Sequence, residues 1–124
     1  MKSIKTRLLA ILLAALVLPA FLFVQNLSLP ALEKLIAEKY PVAAISHSTL
    51  FNTIATDSVQ NYLFFDVRSE KEYAVSHLEN AIRIDPELPA EHFIRKYGER
   101  IAGKELVFYC SVGYRSSKFI ERVD

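Results

Sequence analysis

The stretch YCSVGYRSS, residues 109–117, contains the only cysteine of the chain and several groups that could activate it. A hydrophobic run leads into Cys110, and a glycine, an arginine and two serines follow. If this stretch folds as a tight loop leading into a helix, the backbone amides of Ser111 to Ser116 and the helix dipole form an anion pocket around the sulfur. Such a pocket favours the thiolate, and Arg115 adds a fixed positive charge or binds an anionic substrate. The pattern predicts a nucleophile that attacks a sulfur or phosphorus atom carrying anionic oxygens.

The same residues also fit a structural interpretation. Cysteine is among the most often buried residue types, so Cys110 could be a small core hydrophobe. In that case SVGY is an ordinary turn, for which Gly113 supplies backbone angles that are closed to other residues. One cysteine cannot form an intrachain disulfide, and without neighbouring cysteines or paired histidines we expect no metal site. These residues alone leave the reactive and the buried interpretation open.

Composition limits the chain to one small domain plus an apolar segment. The 124 residues are 52% hydrophobic and 23% charged, which leaves no room for two enzymatic domains. The 15 basic and 14 acidic residues nearly cancel and are interspersed along the chain. We therefore expect no nucleic-acid partner.

Residues 1–25 differ in kind from the rest of the chain. Lys2, Lys5 and Arg7 precede an apolar run from Leu8 to Val24, the pattern of a secretory signal or a signal anchor. The run is near the lower limit for spanning a hydrocarbon core roughly 30 Å thick. An uncleaved anchor is favoured because Leu18 is too large for the usual cleavage motif. We expect a membrane-anchored domain outside the cytoplasm or, after signal cleavage, a secreted one.

After this segment, residues 26–41 are expected to form a spacer helix, Pro30 to Lys39, and a linker. Residues 42–124 then alternate short apolar runs with amphipathic stretches. Strands are predicted at VAAIS, YLFFDV, AIRI and ELVFYC. A first helix is predicted at TLFNTIAT, capped by Ser46 or Ser48 and burying Leu50, Phe51 and Ile54. A second helix is predicted to start at the capping box Ser69 to Glu72 and to run to about His77. Two more are predicted, one from Pro89 to Tyr97 that stops at Gly98 and one that begins in SSKFIERV. This order predicts an open α/β sheet, in which ligands bind at the carboxyl ends of strands.

Two motifs together resemble single-domain rhodaneses. YCSVGYRSS is similar to the active-site loop of that family, and FFDVRSEKEYAVSHLENAIRI is similar to its upstream motif, in the usual order and separation. The resemblance covers about residues 42–124 and implies a rhodanese-like parallel sheet flanked by helices. It implies that Cys110 takes a sulfane sulfur from a small anionic donor such as thiosulfate, becomes a persulfide, and passes the sulfur to a thiol or cyanide. No metal or organic cofactor is implied.

The resemblance also gives roles to the residues around the cysteine. The substrate-binding loop consists of Ser111, Val112, Gly113, Tyr114 and Arg115, of which Arg115 is expected to contact the donor. Structural support is expected from Asp66, Arg68, Glu72 and His77.

Each supporting side chain has an expected contact. Asp66 can hold loop amides at a strand end, Arg68 can pair with an acid such as Glu72, and His77 can fix a turn by a hydrogen bond. By contrast, His47 and His92 match no motif and are expected at the surface or in a helix cap.

Cysteine phosphatases and arsenate reductases are an alternative class. Their related loops have five residues between cysteine and arginine, whereas four separate Cys110 from Arg115. The shorter loop makes a smaller cradle, which suits a single sulfur atom better than a tetrahedral phosphate. The count favours sulfur transfer.

A non-catalytic rhodanese-like binding module is a further alternative. Ser76 and Asn80 stand where the family usually has glycines, and asparagine tolerates positive φ better than serine. Family members usually add another strand and helix after the helix that follows the loop, whereas nine residues follow Arg115 here. The sequence therefore predicts a sheet without its last strand and helix, in a truncated chain or in one whose open sheet a protein partner covers.

Overall fold

The computed structural model describes residues 28–124. The chain divides into two units, residues 1–32 and 33–124, and the description below concerns the second unless stated. The predicted anchor at residues 1–25 lies outside the described residues. Within residues 28–124, no helix combines the length and the apolar character needed to cross a membrane.

Helices and strands alternate along the described residues. The helices are α1 (Leu29–Lys39), α2 (His47–Ile54), α3 (Glu70–Val75), α4 (Ala90–Ile101) and α5 (Tyr114–Val123), with a 3₁₀ helix at Asp57–Asn61. The strands are β1 (Tyr62–Asp66), β2 (Ile82–Arg83) and β3 (Glu105–Tyr109). This order confirms the predicted α/β class, and the strands predicted at YLFFDV, AIRI and ELVFYC are present.

The three strands form one parallel sheet with the order β2-β1-β3. Phe65 in the central strand pairs with Ile82 on one side and with Phe108 on the other. Because all pairings are parallel, the carboxyl ends of the strands meet at one edge of the sheet. Asp66 ends β1 and Cys110 follows β3 at this edge.

Apolar side chains cover both faces of the sheet. On one face Phe65 packs with Phe93 and Tyr97 of α4 and with Phe119 of α5. The stacking of Phe65 on Phe108, with ring centroids 5.1 Å apart, continues this cluster across the two strands. On the other face a smaller cluster forms around Phe64, Ala81 and Val107, with Leu50 of α2 packed against it. The two clusters hold the carboxyl edge of the sheet in place.

One outer edge of the sheet is unpaired. The carbonyl of Tyr109 accepts a hydrogen bond from the Val67 N–H at 2.9 Å, so this residue of β3 turns its backbone toward β1. Since backbone direction alternates along a strand, the N–H and C=O groups of Leu106 and Phe108 point the other way. Within the described residues these four groups have no backbone partner. A groove of about 780 Å³ runs along this edge.

The predicted strand VAAIS is wrong, because residues 42–46 have no regular secondary structure. They line the groove, whose opposite wall is β3. A strand needs a hydrogen-bonded neighbour, and here the groove separates the segment from the nearest open edge. Strand propensity alone therefore does not produce a strand.

The helix predicted at TLFNTIAT exists, and Ser46 is its N-cap, accepting a hydrogen bond from the Thr49 N–H. The burial predicted for it is only partly correct. Leu50 is half-buried, whereas Phe51 and Ile54 are 72% and 42% exposed. The face of α2 that meets the sheet carries Leu50 and the buried Thr53, which are three residues apart on one side of the helix.

Two glycine-related predictions have different outcomes. The helix predicted to stop at Gly98 continues to Ile101, and the turn after it uses Gly103, whose φ is +71°. Asn80 has a φ of +61°, which confirms that it adopts the conformation of a glycine. Ser76 is extended, with a φ of −164°, so its side chain is no obstacle there.

Candidate active site

The loop after β3 leads directly into a helix, as predicted. Cys110 is half-buried where the strand ends, and α5 begins at Tyr114. Gly113 occupies the cap position before the helix with a φ of +86°, a left-handed conformation that other residues rarely adopt. This turn brings the first residues of α5 back over the cysteine.

Several hydrogen-bond donors converge on the Cys110 sulfur. Burial by itself would raise the pKa of the thiol. The backbone N–H and the hydroxyl of Ser116, together with the backbone N–H groups of Val112 and Arg115, outweigh burial and lower this pKa below its ordinary value. The Ser116 Oγ lies 3.7 Å from the sulfur. The arrangement favours the nucleophilic thiolate.

The Ser116 hydroxyl was not singled out by the sequence, although it lies in the quoted loop. Its side chain is buried and also lies 3.1 Å from the carbonyl of Gly113. A hydroxyl has one proton, so it can donate to the carbonyl or to the sulfur, but not fully to both. We expect it to donate to the sulfur when Cys110 loses its proton.

Replacing Ser116 with alanine should raise the pKa of the Cys110 thiol. The variant removes one donor to the thiolate, and an increase of half a unit to one unit would reduce the thiolate fraction roughly threefold to tenfold at pH values well below the midpoint. The rate of iodoacetamide alkylation as a function of pH measures this change. Ser117→Ala is the matched control, because the described contacts of the sulfur include the Ser116 hydroxyl and not that of Ser117. If the pH midpoints of alkylation were equal for Ser116→Ala and Ser117→Ala, the Ser116 hydroxyl would not be a donor to the thiolate.

Arg115 forms a bidentate ion pair with Glu72. Its Nη1 and Nη2 atoms each lie 2.8 Å from one carboxylate oxygen, and Oε1 also accepts a hydrogen bond from the Ser111 hydroxyl at 3.0 Å. Arg115, followed by Ser69, holds the pKa of Glu72 well below its ordinary range. The carboxylate thus fixes both ends of the five-residue stretch that follows the cysteine, Ser111 to Arg115.

The same carboxylate completes the predicted capping box. Its Oε2 accepts hydrogen bonds from the Ser69 N–H at 3.0 Å and from the Ser69 hydroxyl at 2.6 Å. The Ser69 Oγ in turn accepts from the Glu72 N–H. Glu72 therefore joins the start of α3 to the cysteine loop.

Arg68 pairs with an acid, as predicted, but the acid is Asp66 and not Glu72. Arg68 binds Asp66, with its Nη2 2.6 Å from Oδ2 and its Nε 2.9 Å from Oδ1, and it also donates to the Ser76 carbonyl. Asp66 accepts the backbone N–H of Arg68 at 3.0 Å, which confirms its expected role in holding a loop amide. Asp66 is two residues from Arg68 in the chain, whereas both oxygens of Glu72 are bound to Arg115.

His77 fixes a local turn, as expected. Its Nδ1 lies 2.8 Å from the Tyr73 carbonyl oxygen, and the two rings stack with centroids 3.8 Å apart. Tyr73 donates its hydroxyl to the Ala81 carbonyl at 2.8 Å, so the stack also braces the approach to β2. His92 lies on the exposed surface of α4.

A second cavity opens in front of the cysteine. It has a volume of about 440 Å³, and its lining includes Cys110, Arg68, His77, His47 and Tyr109. No motif indicates that His47 lies here, because it begins α2 more than sixty residues before the cysteine. It is exposed as expected, but it lines both this cavity and the larger groove.

Tyr109 also lines this cavity, although no motif indicates a role for its side chain. Its hydroxyl accepts a hydrogen bond from the Leu78 N–H at 3.2 Å, and the Arg68 guanidinium lies 5.6 Å from its ring centroid. Burial raises its pKa above the ordinary value. The ring therefore forms a neutral wall beside the thiol.

No group of three or more His, Cys, Asp and Glu side chains among residues 28–124 is arranged to hold a metal ion. The polar side chains around Cys110 bind one another, as Arg68 does with Asp66 and Arg115 with Glu72. What the arrangement offers is a partly buried thiol with a favoured thiolate, at the end of a strand and beside a cleft.

A known protein family shares the sequence around this site. Residues 48–122 match the family model of the rhodanese-like domain. Two curated proteins named tRNA uridine(34) hydroxylase, from two strains of Staphylococcus epidermidis, are 36% identical over 64 residues. The matched stretch is 48% of this chain and 19% of each relative, so the chain spans about a fifth of their length. No solved structure matched the chain. Since the family model covers more than half of the sequence and includes the cysteine loop, the chain belongs to the rhodanese-like domain family.

Proposed function

We propose that this rhodanese-like domain is a sulfurtransferase that carries a sulfane sulfur as a persulfide on Cys110. The observation that supports this most is the Ser116 hydroxyl, which lies 3.7 Å from the cysteine sulfur at the start of α5. Together with the backbone N–H groups of the loop, it lowers the pKa of the thiol despite burial. A thiolate at neutral pH is the form that attacks sulfur. Donors around the sulfur would also stabilise a persulfide anion in the same pocket.

The reaction has two steps. The Cys110 thiolate attacks the outer sulfur of a donor such as thiosulfate, the S–S bond of the donor breaks, and sulfite leaves with the electron pair. A thiolate or cyanide acceptor then attacks the outer sulfur of the persulfide, forms a persulfide or thiocyanate, and releases the Cys110 thiolate. No metal, organic cofactor or external redox agent is needed for either step.

Arg115 is proposed to contribute to donor binding in a limited way. Both of its terminal nitrogens are bound to Glu72, which partly neutralises its charge. It therefore attracts a small anion only weakly at the mouth of the loop, where Ser111 and Val112 are exposed. A phosphate ester would need that guanidinium for its own oxygens, so the ion pair favours sulfur transfer over phosphatase chemistry.

The 440 Å³ cleft is the proposed entrance for donor and acceptor. Arg68 and two histidines line it beside apolar Leu50 and Leu78. Polar groups on an apolar wall can orient a small thiol or anion near the sulfur. The curated relatives are named for tRNA, but they share only 19% of their length with this chain, and we propose no nucleic-acid substrate here.

Three further proposals concern the setting of the domain. Residues 1–25 are proposed to anchor it in a membrane with residues 42–124 outside the cytoplasm, or to direct its secretion, with residues 26–41 as the spacer. A protein partner is proposed to cover the open edge of β3, because the backbone groups of Leu106 and Phe108 can pair with an added strand. Without such cover, the alternative is a rhodanese-like module that binds without turnover.

Mass spectrometry of the intact protein tests the proposal directly. After incubation with thiosulfate, the chain should gain the mass of one sulfur atom at Cys110, and cyanide or a thiol should remove it. A chain that gains no sulfur but hydrolyses a phosphate ester would establish the phosphatase alternative. A folded chain that does neither would be a binding module.

A further inference from the structure

The start of α5 is packed against residues that precede the predicted domain. The ring of Tyr40 meets the ring of Tyr114 edge to face, with centroids 5.6 Å apart and an interplanar angle of 72°. The Lys39 Nζ lies 5.3 Å from the first centroid and 5.5 Å from the second. This arrangement of Lys39, Tyr40 and Tyr114 is here called the aromatic clamp.

The two rings of the clamp have different surroundings. Tyr40 is buried, with 6% of its surface exposed, and its backbone N–H donates to the Ile36 carbonyl at 2.8 Å. Tyr114 is 40% exposed, and its aromatic and cation contacts within the described residues are those of the clamp. The buried ring is therefore the fixed member, and the exposed ring is the one that it holds.

Tyr114 has a sensitive position in the loop. It follows Gly113, whose left-handed backbone conformation sets the turn. It precedes Arg115 and Ser116, whose backbone N–H groups act on the Cys110 sulfur. A rotation of the backbone at residue 114 would move both donors away from the sulfur, and donors misplaced by a fraction of an ångström stabilise charge less well.

Two groups of the clamp act on the pKa of Tyr114 in the same direction. The Tyr40 hydroxyl, and after it the Lys39 ammonium, lower the pKa of Tyr114 below the ordinary value. A cation above two aromatic faces is attracted by both and draws the rings together. Lys39 is outside the ion pairs found among the described residues, so its charge is not neutralised by a carboxylate.

We propose that Lys39 and Tyr40 are positioning residues that hold Tyr114, and through it the backbone donors of the cysteine loop, in the geometry that stabilises the Cys110 thiolate. The proposal deepens the proposed function, on which its catalytic meaning rests. It makes the end of α1 part of the reactive unit, although Tyr40 lies 70 residues before the cysteine.

The experiment measures the thiol pKa from the pH dependence of iodoacetamide alkylation in the full chain. Tyr40→Leu removes the edge-to-face contact, and the thiolate fraction at pH values well below the midpoint should fall roughly threefold to tenfold, which corresponds to an increase of half a unit to one unit in pKa. Tyr40→Phe keeps the ring and should retain a midpoint close to that of the wild type. Tyr97→Leu is the control for a lost buried tyrosine, because Tyr97 is equally buried, at 5% exposure, in the cluster around Phe65.

A positioning role and a purely structural role give different results. If Tyr40→Leu and Tyr97→Leu leave the midpoint equally unchanged, or shift it equally, the proposal is wrong. Should Tyr40→Leu fail to fold, Lys39→Met provides the second measurement, since Lys39 is on the surface. It should lower the thiolate fraction about twofold to threefold, and an unchanged midpoint would overturn the proposal.

The outcome is independent of the sulfur-uptake assay. Alkylation uses no sulfur donor, so failure of the chain to gain sulfur would refute the proposed transfer and leave the clamp comparison valid. A midpoint that does not respond to the clamp would refute positioning and leave sulfur uptake intact.

Discussion

Cys110→Ser should abolish the production of sulfite from thiosulfate and cyanide, with a loss of at least about a thousandfold. Serine keeps the shape of the side chain, and the site is only half-buried, so the fold should survive the change. Its hydroxyl does not ionise near neutral pH and cannot form a persulfide. The Ser116 hydroxyl and the loop N–H groups would remain, but they would surround a neutral oxygen.

Release of sulfite and formation of thiocyanate, measured in the same reaction, check this prediction. Ser117→Ala is the control, because it changes a hydroxyl of α5 while leaving the Ser116 contact with the sulfur in place. Circular dichroism should show that both variants are folded. If the Cys110→Ser chain produced sulfite at the wild-type rate, the sulfur would have to pass through a different group, and the proposed route would be wrong.

Asp66→Ala should cost about 3 kcal/mol in the free energy of unfolding. The carboxylate is fully buried and accepts the backbone N–H, Nε and Nη2 of Arg68. Burial alone would raise the pKa of Asp66, but the hydrogen bonds from Arg68 and Tyr109 lower it below the ordinary value. Alanine would leave the largely buried guanidinium without its carboxylate, and one unpaired charge of this kind takes up a large share of the stability of a small domain.

Urea unfolding at neutral pH gives this free energy. The matched control is Glu87→Ala, which removes a carboxylate that is 69% exposed and pairs with Lys118 and Arg122. An exposed pair of this kind should contribute about 1 kcal/mol or less. The sign of the pH effect follows from the lowered pKa of Asp66. Its stabilisation is present above the pKa of the unfolded chain and is lost as the pH falls through the folded value. Equal losses for the two variants would contradict the role given to Asp66.

Much of the fold is predictable from local sequence patterns. Continuous apolar runs identify β1 and β3, because a strand that is covered on both faces carries apolar residues at successive positions instead of alternating apolar and polar ones. The capping box at Ser69 and Glu72 marks the start of α3 to the residue. Its motif partners are three residues apart, so the signal is contained in a short window.

The errors arise where the structure depends on distant neighbours. VAAIS has strand propensity but no neighbouring strand to pair with. The helix α4 continues past Gly98 because Phe93 and Tyr97, which lie before the glycine, pack the helix into the core. The Glu72 and Arg115 pair joins residues 43 positions apart. The capping box already explains the glutamate, so nothing local predicts its second partner. The Tyr40 and Tyr114 contact is hidden from the sequence for the same reason.

The shared carboxylate of Glu72 couples the opening of the loop to the opening of the first turn of α3. When Arg115 and Ser111 move away from Glu72, the carboxylate loses the hydrogen bonds that hold it in position. Its hydrogen bond with the Ser69 N–H is then weakened as well. The two segments therefore belong to a single cooperative unit in native-state fluctuations, although different stretches of chain form them. In hydrogen exchange, the amide of Ser69 becomes a reporter of loop opening at a residue outside the loop.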